Sequence, residues 1–378
     1  MPWKDKTVEE LCKEFIEAAG EPDANISALC REFEISRTTG YKWLQRAGND
    51  LSDRSHAPFH VTGKTSVEIE NQILLMRSEH PRWGAKKILT VLSRQGIDHF
   101  PCVKTGNNIL KRNGCISPDD SQKHRATMRF EREKCNELWQ TDFKGEFRML
   151  DGNKCFPLDI IDDHARYCIG IYPKLSTIGI KDSFELAFRE YGLPKAILSD
   201  NGVQFAGFKG GYTQFERWLM DLDICPIHGR VMHPQTQGKI ERFHRSMKNE
   251  LLKYSDFRNI EEATAALENW RVQYNDVRPH EALGMRCPAD VYVKSERQYP
   301  DRIRSYEYSG LYPTIKVNSW GYLRFDQIQV YIGQTFENIR LEIRPAENRF
   351  AVCYRNFRIA EIDPITQQLL NRRISRLE

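Results

Sequence analysis

The sequence predicts a multidomain protein with three kinds of structure: an all-α amino-terminal region, an α/β core and a small all-β region at the carboxyl end. Apolar residues recur at helical spacing before residue 116, and strand-like and helical segments alternate from residue 137. From residue 311, short β-rich runs are separated by turns that contain glycine, proline and asparagine. A chain of 378 residues is long enough for roughly two to four domains.

Residues 1–50 predict a helix-turn-helix unit, with a capped helix at 7–20 and shorter helices at 26–33 and 36–45. The third helix begins with side chains that could reach base edges and phosphates from a major groove. These candidate DNA contacts are Arg37, Thr38, Thr39, Tyr41 and Lys42. Two residues depart from the usual pattern: Glu34 stands where the turn commonly takes glycine, and Gly40 interrupts the third helix. The alternative is a small helical core with a solvated polar face.

A turn-rich linker at 51–65 precedes a second predicted helix-turn-helix unit at 66–115. Its helices are expected at 66–79, 84–95 and 103–113. Two consecutive units of this kind could grip a longer DNA site than one. The candidate DNA contacts are Lys86, Lys87, Lys111 and Arg112. For Lys86 and Lys87 the alternative is a solvated charged face.

An α/β core is predicted over 137–292, after a polar connector at 116–136. The expected elements are strands at 138–143, 155–161, 167–172 and 196–199 and helices at 178–191, 212–222, 238–254 and 260–275. A meander of three strands, then a crossover helix and a further strand, resembles the ribonuclease H-like core. A small five-stranded barrel is expected at 311–378, where glycine and proline mark the turns.

Three acidic residues stand in settings that suit metal-bound carboxylates. Asp142 lies on the first predicted strand, Asp200 follows an apolar strand, and Glu241 lies at the start of a helix. Two strand-end aspartates and a helical glutamate can converge on a pair of divalent cations, which clamp the attacking and leaving oxygens of a phosphodiester. Oxygen ligands suit Mg²⁺ or Mn²⁺ better than zinc. The sequence therefore predicts an enzyme that acts on DNA.

Other acidic residues compete for this role. Asp151 lies beside Gly152 and is explained by hairpin-turn chemistry. Asp162 and Asp163 follow the second predicted strand, where they could cap the hairpin or pair with Arg166. The first aspartate of the metal site is therefore assigned to Asp142, with Asp162 and Asp163 as the alternatives.

The helix that carries Glu241 also carries hydrogen-bond donors and cations on the same face, at helical spacing. These are Gln237, Arg245 and Lys248, which would help to hold a DNA end. A polar loop that is rich in glycine and proline leads into the helix and is expected to be a flexible active-site loop. Arg230, His233 and Lys239 are further candidate DNA contacts, although His233 and His244 could also be spectators.

The composition permits a nucleic-acid partner without requiring one. Net charge is +4 and the pI is near 8.4, but basic charge is local: residues 228–253 hold six Lys/Arg against two Glu. Ten scattered cysteines without a Cys-x-x-Cys pair predict neither a zinc ribbon nor a disulfide framework, and favour a reduced intracellular protein. A polar start and the lack of a long apolar run predict a cytoplasmic protein with no membrane association.

Several ordered motifs make the chain resemble an insertion-sequence transposase of the DDE type with a retroviral-integrase-like core, and most closely the group numbered four-eighty-one. The motifs lie at 136–145, 162–167, 191–202, 228–244 and 274–284, with a match to the group's first helix-turn-helix at 29–42. Together they span nearly the whole chain. The chain departs from the pattern in an insertion-like stretch, Ala206 to Tyr212, and at Ala165, where the group usually has serine. It shows no His/Cys zinc module at its amino terminus, unlike retroviral integrases.

The resemblance implies that Asp142, Asp200 and Glu241 bind two Mg²⁺ ions, for which Mn²⁺ would substitute. It implies cleavage at the 3′ ends of the element, followed by joining of those ends to target DNA. The two helix-turn-helix units would bind terminal inverted repeats, and the carboxy-terminal barrel would grip the DNA backbone or a second subunit. A homo-oligomer, at least a dimer on double-stranded DNA, is expected, in the nucleoid of a prokaryotic cell.

Two alternative functions belong to different classes. One is a catalytically silent, transposase-derived DNA-binding regulator, and the intact set of three carboxylates argues against it. The other is a ribonuclease H-like nuclease without strand transfer, which two predicted helix-turn-helix units disfavour because they imply recognition of specific ends.

Overall fold

The computed structural model describes residues 7–51, 65–97, 99–116, 131–207, 211–229, 238–370 and 373–377. The chain divides into two units, Met1–Lys64 and Thr65–Glu378. Most of the predicted linker at 51–65 and of the connector at 116–136 lies outside the described residues. All ten cysteines are free thiols. No helix among the described residues combines the length and the apolar character needed to cross a bilayer.

The first unit consists of three helices, α1 (Val8–Ala19), α2 (Ile26–Glu32) and α3 (Arg37–Leu44). Phe15 of α1 is fully buried at its centre. Glu34 makes the turn between α2 and α3 with a φ of 55°, so a residue other than glycine adopts the left-handed conformation there. Gly40 does not end α3, because a Cβ there would lie 2.7 Å from Cys30 Sγ and 2.9 Å from the Phe15 ring. Glycine at this position lets α3 pack closely on its neighbours.

The second unit begins with α4 (Val67–Glu79), α5 (Ala85–Arg94) and α6 (Val103–Arg112). These helices enclose an apolar core that contains Trp83, Ile88 and Ile109. Arg94 joins them to a later part of the same unit, since its guanidinium donates to Cys287 Sγ at 3.0 Å and pairs with the Asp290 carboxylate.

A mixed sheet with helices forms the α/β part of the second unit. Its elements are β1 (Trp139–Phe143), β2 (Phe147–Arg148), β3 (Lys154–Asp162), β4 (Cys168–Lys174), α7 (Lys181–Tyr191), β5 (Ala196–Ser199), α8 (Gln214–Asp221), β6 (Cys225–His228), α9 (Gly238–Met247) and α10 (Ile260–Val272). In the sheet, β1 lies between antiparallel β3 and parallel β5, and β6 lies parallel beside β5. Strands β2 and β4 both pair antiparallel with β3. The packed side chains of α7 and α8, Phe184, Phe188 and Trp218 among them, cover the sheet with an aromatic core.

The elements follow the expected order, with three differences. β2 was not predicted, because two residues are too few to show a strand pattern. β6 was not predicted, because a four-residue strand that contains Pro226 shows no alternation of apolar and polar residues. The helix predicted at 238–254 is an α-helix only to Met247 and continues as a π-helical turn, Lys248–Leu252. Strand β5 lies at the residues predicted for it.

An all-β region follows the α/β part. Its strands are β7 (Thr314–Lys316), β8 (Tyr322–Phe325), β9 (Ile328–Tyr331), β10 (Arg340–Ala346), β11 (Arg349–Tyr354), β12 (Phe357–Asp363), β13 (Gln368–Leu370) and β14 (Ser375–Arg376). The described residues thus form eight strands rather than the five expected: a six-stranded sheet, in the order β13-β12-β11-β10-β7 with β14 on β12, and the β8–β9 hairpin. Tyr212 and Met220 of the α/β part belong to the apolar core of this region. The insertion-like stretch at 206–212 therefore ends in a residue that joins the two parts.

Candidate active site

The sheet brings Asp142 and Asp200 to the same level at one edge. β1 and β5 are parallel, and their register pairs Trp139 with Ile197 and Gln140 with Leu198. From Gln140, two further residues along β1 lead to Asp142. From Leu198, two further residues along β5 and the turn after it lead to Asp200. Because side chains alternate along a strand, the two aspartates occupy equivalent positions on neighbouring strands.

Burial and neighbouring charges make the ionised form of Asp142 costly. Burial raises the pKa of Asp142 to about 6, and the negative charges of Asp200 and Asp159 act in the same direction. His244 opposes the rise, with its Nδ1 atom 3.9 Å from Asp142 Oδ2. A cation placed beside these carboxylates would favour the ionised form, because opposite charge lowers the pKa of an acid.

Helix α9 packs against β1 and carries Glu241 in its first turn. The backbone N–H of Ile240 donates to Gln140 Oε1 at 3.3 Å, which fixes the start of the helix beside β1. Glu241 is exposed and lies three residues before His244, which faces Asp142. Residues three apart share a helix face, so α9 turns Glu241 toward the side of β1.

The donor set fits a divalent cation only in part. Asp142 and Asp200 supply carboxylate oxygens from adjacent strands, which are the ligands that Mg²⁺ and Mn²⁺ prefer. Within the described ranges, however, no three His, Cys, Asp or Glu side chains are close enough to hold an ion together. The structure therefore brings the two aspartates together and leaves Glu241 outside their immediate group.

Asp159 is an acidic residue of this site that the sequence interpretation missed. It lies on β3 directly opposite Asp142 in the antiparallel register and is fully buried. His244 Nε2 lies 2.8 Å from Asp159 Oδ2, but without the alignment of a hydrogen bond. Burial raises the pKa of Asp159. The only signal in the sequence was an acidic residue inside the apolar run at 155–161.

The competing aspartates are occupied by protein donors. Asp162 accepts the backbone N–H groups of Asn136 and Ala165, each at 2.7 Å. Asp163 accepts from the Gln140 amide at 2.7 Å and pairs with the Lys239 ammonium. In the hairpin turn, Asp151 accepts from the Asn153 N–H at 2.9 Å. These aspartates hold the fold together at positions away from the Asp142 edge.

The candidate DNA contacts differ in their placement. Arg37, Thr38, Tyr41, Lys42, Lys86, Lys111, Arg245 and Lys248 are exposed. Thr39 is half-buried, and its hydroxyl lies 2.8 Å from that of Ser36, the residue that caps α3. The guanidinium of Arg112 is paired with the Glu70 carboxylate. Arg230, His233 and Gln237 lie outside the described residues.

Two lysines that were expected to contact DNA are turned into the protein. Burial and the nearby Arg278 charge lower the pKa of Lys87 to about 8. The Lys239 ammonium donates to the Asp163 backbone carbonyl at 3.0 Å as well as pairing with its carboxylate. A direct phosphate contact would require these side chains to leave their sites, and DNA contact by Lys87 and Lys239 stays a prediction.

Two family models match the chain, both described as the integrase core domain, over residues 132–234 and 222–288. Residues 132–288 match the integrase core domain. The matches cover β1 to β6 and α9, and so include the edge that carries Asp142 and Asp200. The predictions of an insertion-sequence transposase with an integrase-like core, and of a DDE polynucleotidyl transferase, are confirmed at this level. Membership of group four-eighty-one stays a prediction.

Relatives of this integrase-core protein include products of bacterial insertion elements. An uncharacterised 31.7 kDa protein of insertion element IS407 from Burkholderia multivorans is 24% identical over 265 residues, which is 66% of this chain and 91% of the relative. An uncharacterised 39.2 kDa protein of IS476 from Xanthomonas euvesicatoria is 25% identical over 289 residues, or 73% of this chain and 79% of the relative.

Solved structures that match part of this chain include a retroviral integrase core and a chain of a retroviral intasome. The HTLV-2 integrase catalytic core in complex with magnesium, in its dimeric form, matches 42% of this chain and 97% of its own, at 19% identity and a TM-score of 0.34. A chain of the simian T-cell lymphotropic virus intasome in complex with the PP2A regulatory subunit B56 gamma matches 81% of this chain and 99% of its own, at 16% identity and a TM-score of 0.39.

Proposed function

We propose that the protein is a DNA transposase that cleaves at the 3′ ends of its element and joins those ends to target DNA. The observation that carries the proposal is the equivalent placement of Asp142 and Asp200 on parallel neighbouring strands of an integrase core domain. Glu241 is the proposed third carboxylate, because α9 is anchored beside β1. Both reactions are in-line displacements at phosphorus, so one site can serve both.

The three carboxylates are proposed to hold two Mg²⁺ ions, with Mn²⁺ as a substitute. When bound, the ions would supply an activated attacking oxygen and a neutralised leaving oxygen. Closure of Glu241 onto the two aspartates would complete the ligand set. The exposed Arg245 and Lys248 on the same helical segment would bind phosphates of the DNA end and hold the scissile bond beside the carboxylates. Residues 230–237, which include Arg230, His233 and Gln237, would contribute further DNA contacts.

The amino-terminal helices are proposed to recognise terminal inverted repeats as two helix-turn-helix units, at 1–50 and 66–115. The left-handed turn at Glu34 and the close packing at Gly40 support this interpretation of the first unit. Arg37, Thr38, Tyr41 and Lys42 lie exposed on α3, where a recognition helix would meet base edges. Lys86 and Lys111 are the corresponding exposed cations of the second unit.

A homo-oligomer, at least a dimer on double-stranded DNA, is the proposed active form. Joining two ends of one element requires two sites in one complex. The similar retroviral proteins include a dimeric catalytic core and an intasome. A nucleoid location in a prokaryotic cell follows from such a DNA substrate. The proposed core spans 137–292 and the proposed carboxy-terminal domain spans 311–378.

The test uses the purified full chain with Mg²⁺ or Mn²⁺ and a labelled duplex that ends in the element's terminal sequence. We expect metal-dependent 3′-end cleavage and joining to a plasmid, and a loss of at least about 100-fold in Glu241→Gln with DNA binding retained. Glu261→Gln, on the exposed first turn of α10, is the matched control and should match the wild-type protein.

Three results would change the assignment. Products that persist in Glu241→Gln would mean that another carboxylate completes the site. Tight binding to the terminal duplex without any metal-dependent product would favour a silent DNA-binding regulator. Cleavage without joining would favour a nuclease.

A further inference from the structure

A buried line of hydrogen bonds runs from α8 to the strand end beside Asp200. His228, the last residue of β6, has its Nε2 atom 2.8 Å from Glu216 Oε1 and its Nδ1 atom 3.1 Å from Ser199 Oγ. Ser199 is the last residue of β5 and immediately precedes Asp200. The imidazole therefore links a helix to the strand that carries one of the proposed metal ligands.

The chemistry of Glu216 fixes the direction of these hydrogen bonds. Glu216 is only 3% exposed, and its other carboxylate oxygen accepts the Thr213 N–H at 2.6 Å as part of the α8 capping box. An ionised carboxylate only accepts, so His228 donates from Nε2. In the neutral imidazole, Nδ1 is then the acceptor for the Ser199 hydroxyl.

The chain on both sides of Asp200 is held to the end of β6. The Gly229 N–H donates to the Ser199 carbonyl at 3.0 Å, and the Asn201 side-chain amide donates to the Gly229 carbonyl at 3.0 Å. Asp200 Oδ1 itself accepts the Gly202 N–H at 3.0 Å. Since its neighbours in sequence are both tied to the adjacent strand end, the Asp200 carboxylate has little freedom to move alone.

The same three residue types also make up hydrolytic triads, but the burial of the serine excludes that role. Ser199 is 4% exposed, so its hydroxyl cannot approach a phosphodiester or an acyl group. The hydroxyl also lies 3.1 Å from the Asp200 carbonyl oxygen, and its single hydrogen is donated either to that oxygen or to His228 Nδ1. The arrangement is built to orient rather than to react.

Helix α8, which supplies Glu216, is itself held from its other side. The Arg217 guanidinium donates to the Thr335 carbonyl of the all-β region at 2.6 Å. Asp221, at the end of α8, pairs with Arg355 at 2.8 Å. Glu216 therefore projects from a helix that is fixed at both the sheet and the β region, and His228 is held against a rigid support.

We propose that His228, held by Glu216 and bonded to Ser199, is a positioning residue that fixes the Asp200 carboxylate for divalent-cation binding. The proposal rests on the proposed function, because it takes Asp200 to be a metal ligand. Partners that hydrogen-bond directly to a metal ligand typically change metal affinity or activity by about 10- to 100-fold when they are removed, and His228 acts one residue further back, through Ser199.

The test compares Ser199→Ala with Ser199→Thr in the full chain. Mn²⁺ affinity is measured by electron paramagnetic resonance of the free ion, and 3′-end cleavage gives kcat and the KM for DNA. For Ser199→Ala we expect Mn²⁺ affinity about 10-fold weaker and kcat about 10- to 100-fold lower, with KM unchanged. Ser199→Thr keeps a hydroxyl and should restore both. His228→Asn, which can still reach Ser199 but not Glu216, should fall between the two.

Ser183→Ala on α7 is the matched control, because it also removes the hydroxyl of a buried serine but lies outside this network. It should leave Mn²⁺ affinity and kcat unchanged. Wild-type Mn²⁺ affinity in Ser199→Ala would overturn the proposal, and so would a loss that Ser199→Thr fails to restore, since that loss would reflect packing. Asp200→Asn distinguishes a failure of the positioning role from a failure of the metal-ligand assignment. If it binds Mn²⁺ as tightly as the wild-type protein, the metal assignment itself is wrong, and both proposals fall.

Discussion

The two edges of the central sheet both carry aspartates, but in opposite surroundings. At the edge formed by the carboxyl ends of β1 and β5, Asp142 faces the carboxylates of Asp200 and Asp159. At the opposite edge, where antiparallel β3 ends, Asp162 and Asp163 meet backbone and side-chain donors. Burial raises the pKa of both Asp142 and Asp162 to about 6, so burial alone does not separate them. What separates them is whether the neighbours are donors or other carboxylates.

That difference has a physical consequence. Carboxylates that surround one another store repulsion that only a cation or a proton can relieve, whereas a carboxylate surrounded by N–H groups is already satisfied. The first edge is suited to binding divalent cations and the second to stabilising the fold. Substitutions at the first edge should therefore lower activity without loss of stability, and substitutions at the second edge should lower stability.

The largest expected effect is on activity at the first edge. Asp142→Asn should lower metal-dependent 3′-end cleavage by about 1,000-fold, because the amide keeps the shape but loses the anionic ligand. The free energy of unfolding, measured with urea in metal-free buffer, should stay the same or rise, since a repulsive charge is gone. An equal loss of stability would show that Asp142 belongs with the structural aspartates.

The corresponding substitution at the second edge, Asp163→Ala, should lower stability. It leaves the Lys239 ammonium, whose side chain is 15% exposed, and the buried Gln140 amide without this partner, and removing one partner of a buried ion pair costs about 3–5 kcal/mol. Urea unfolding should show this loss directly. Asp151→Ala, in an exposed hairpin turn, is the control and should cost less than about 1 kcal/mol. A small effect of Asp163→Ala would mean that Lys239 is free to leave its site and reach DNA.

A cation bound at the first edge, and not at the second, should stabilise the folded protein. At a Mn²⁺ concentration about 100 times its Kd, the free energy of unfolding should rise by about 2.7 kcal/mol, provided that only the folded chain binds. Thermal unfolding with and without Mn²⁺ measures this as a higher Tm. Asp142→Asn should lose the increase. A variant that still responds to Mn²⁺ like the wild-type protein would place the cation elsewhere.

The smallest effect concerns pH. The pKa of Asp142 is raised in the folded chain, so the folded state binds its proton more tightly than the unfolded state. This contribution to stability is fully present below the unfolded pKa near 3.8 and is lost as pH rises through about 6. In metal-free buffer, stability should therefore fall between pH 4 and 6.5 by about 1–2 kcal/mol more in the wild-type chain than in Asp142→Asn. Parallel pH curves for the two proteins would contradict the shift.

The sequence allowed the main parts of this comparison to be predicted, because they depend on local patterns. β5 is an apolar run that ends just before Asp200, β1 carries Asp142 near its end, and a crossover helix between strands implies a shared parallel edge. Asp142 and Asp200 could be placed together for that reason. Their third partner could be placed only on α9, since the approach of a helix to a sheet edge depends on packing and on residues 230–237.

What the sequence could not reveal depends on tertiary contacts. Lys87 and Lys239 look like solvated cations in any local pattern, and only the packing of α5 and α9 turns them inward. β6 lacks strand periodicity because Pro226 interrupts it and both of its faces are covered in part. His228 became informative only when β6 placed it between Glu216 and Ser199.

Tyr212 and Met220 of the α/β part are buried in the apolar core of the β region. Their burial affects how the second unit folds and whether its α/β part and β region could be separated. The Tyr212 hydroxyl donates to the Ile359 carbonyl at 2.6 Å, so this residue is anchored as well as buried. A chain cut before β7 would expose both side chains and leave α8 without its outer support. The α/β part and the β region should therefore unfold in one cooperative thermal transition. Exchanging either of them for the corresponding part of a related protein would require redesign of α8.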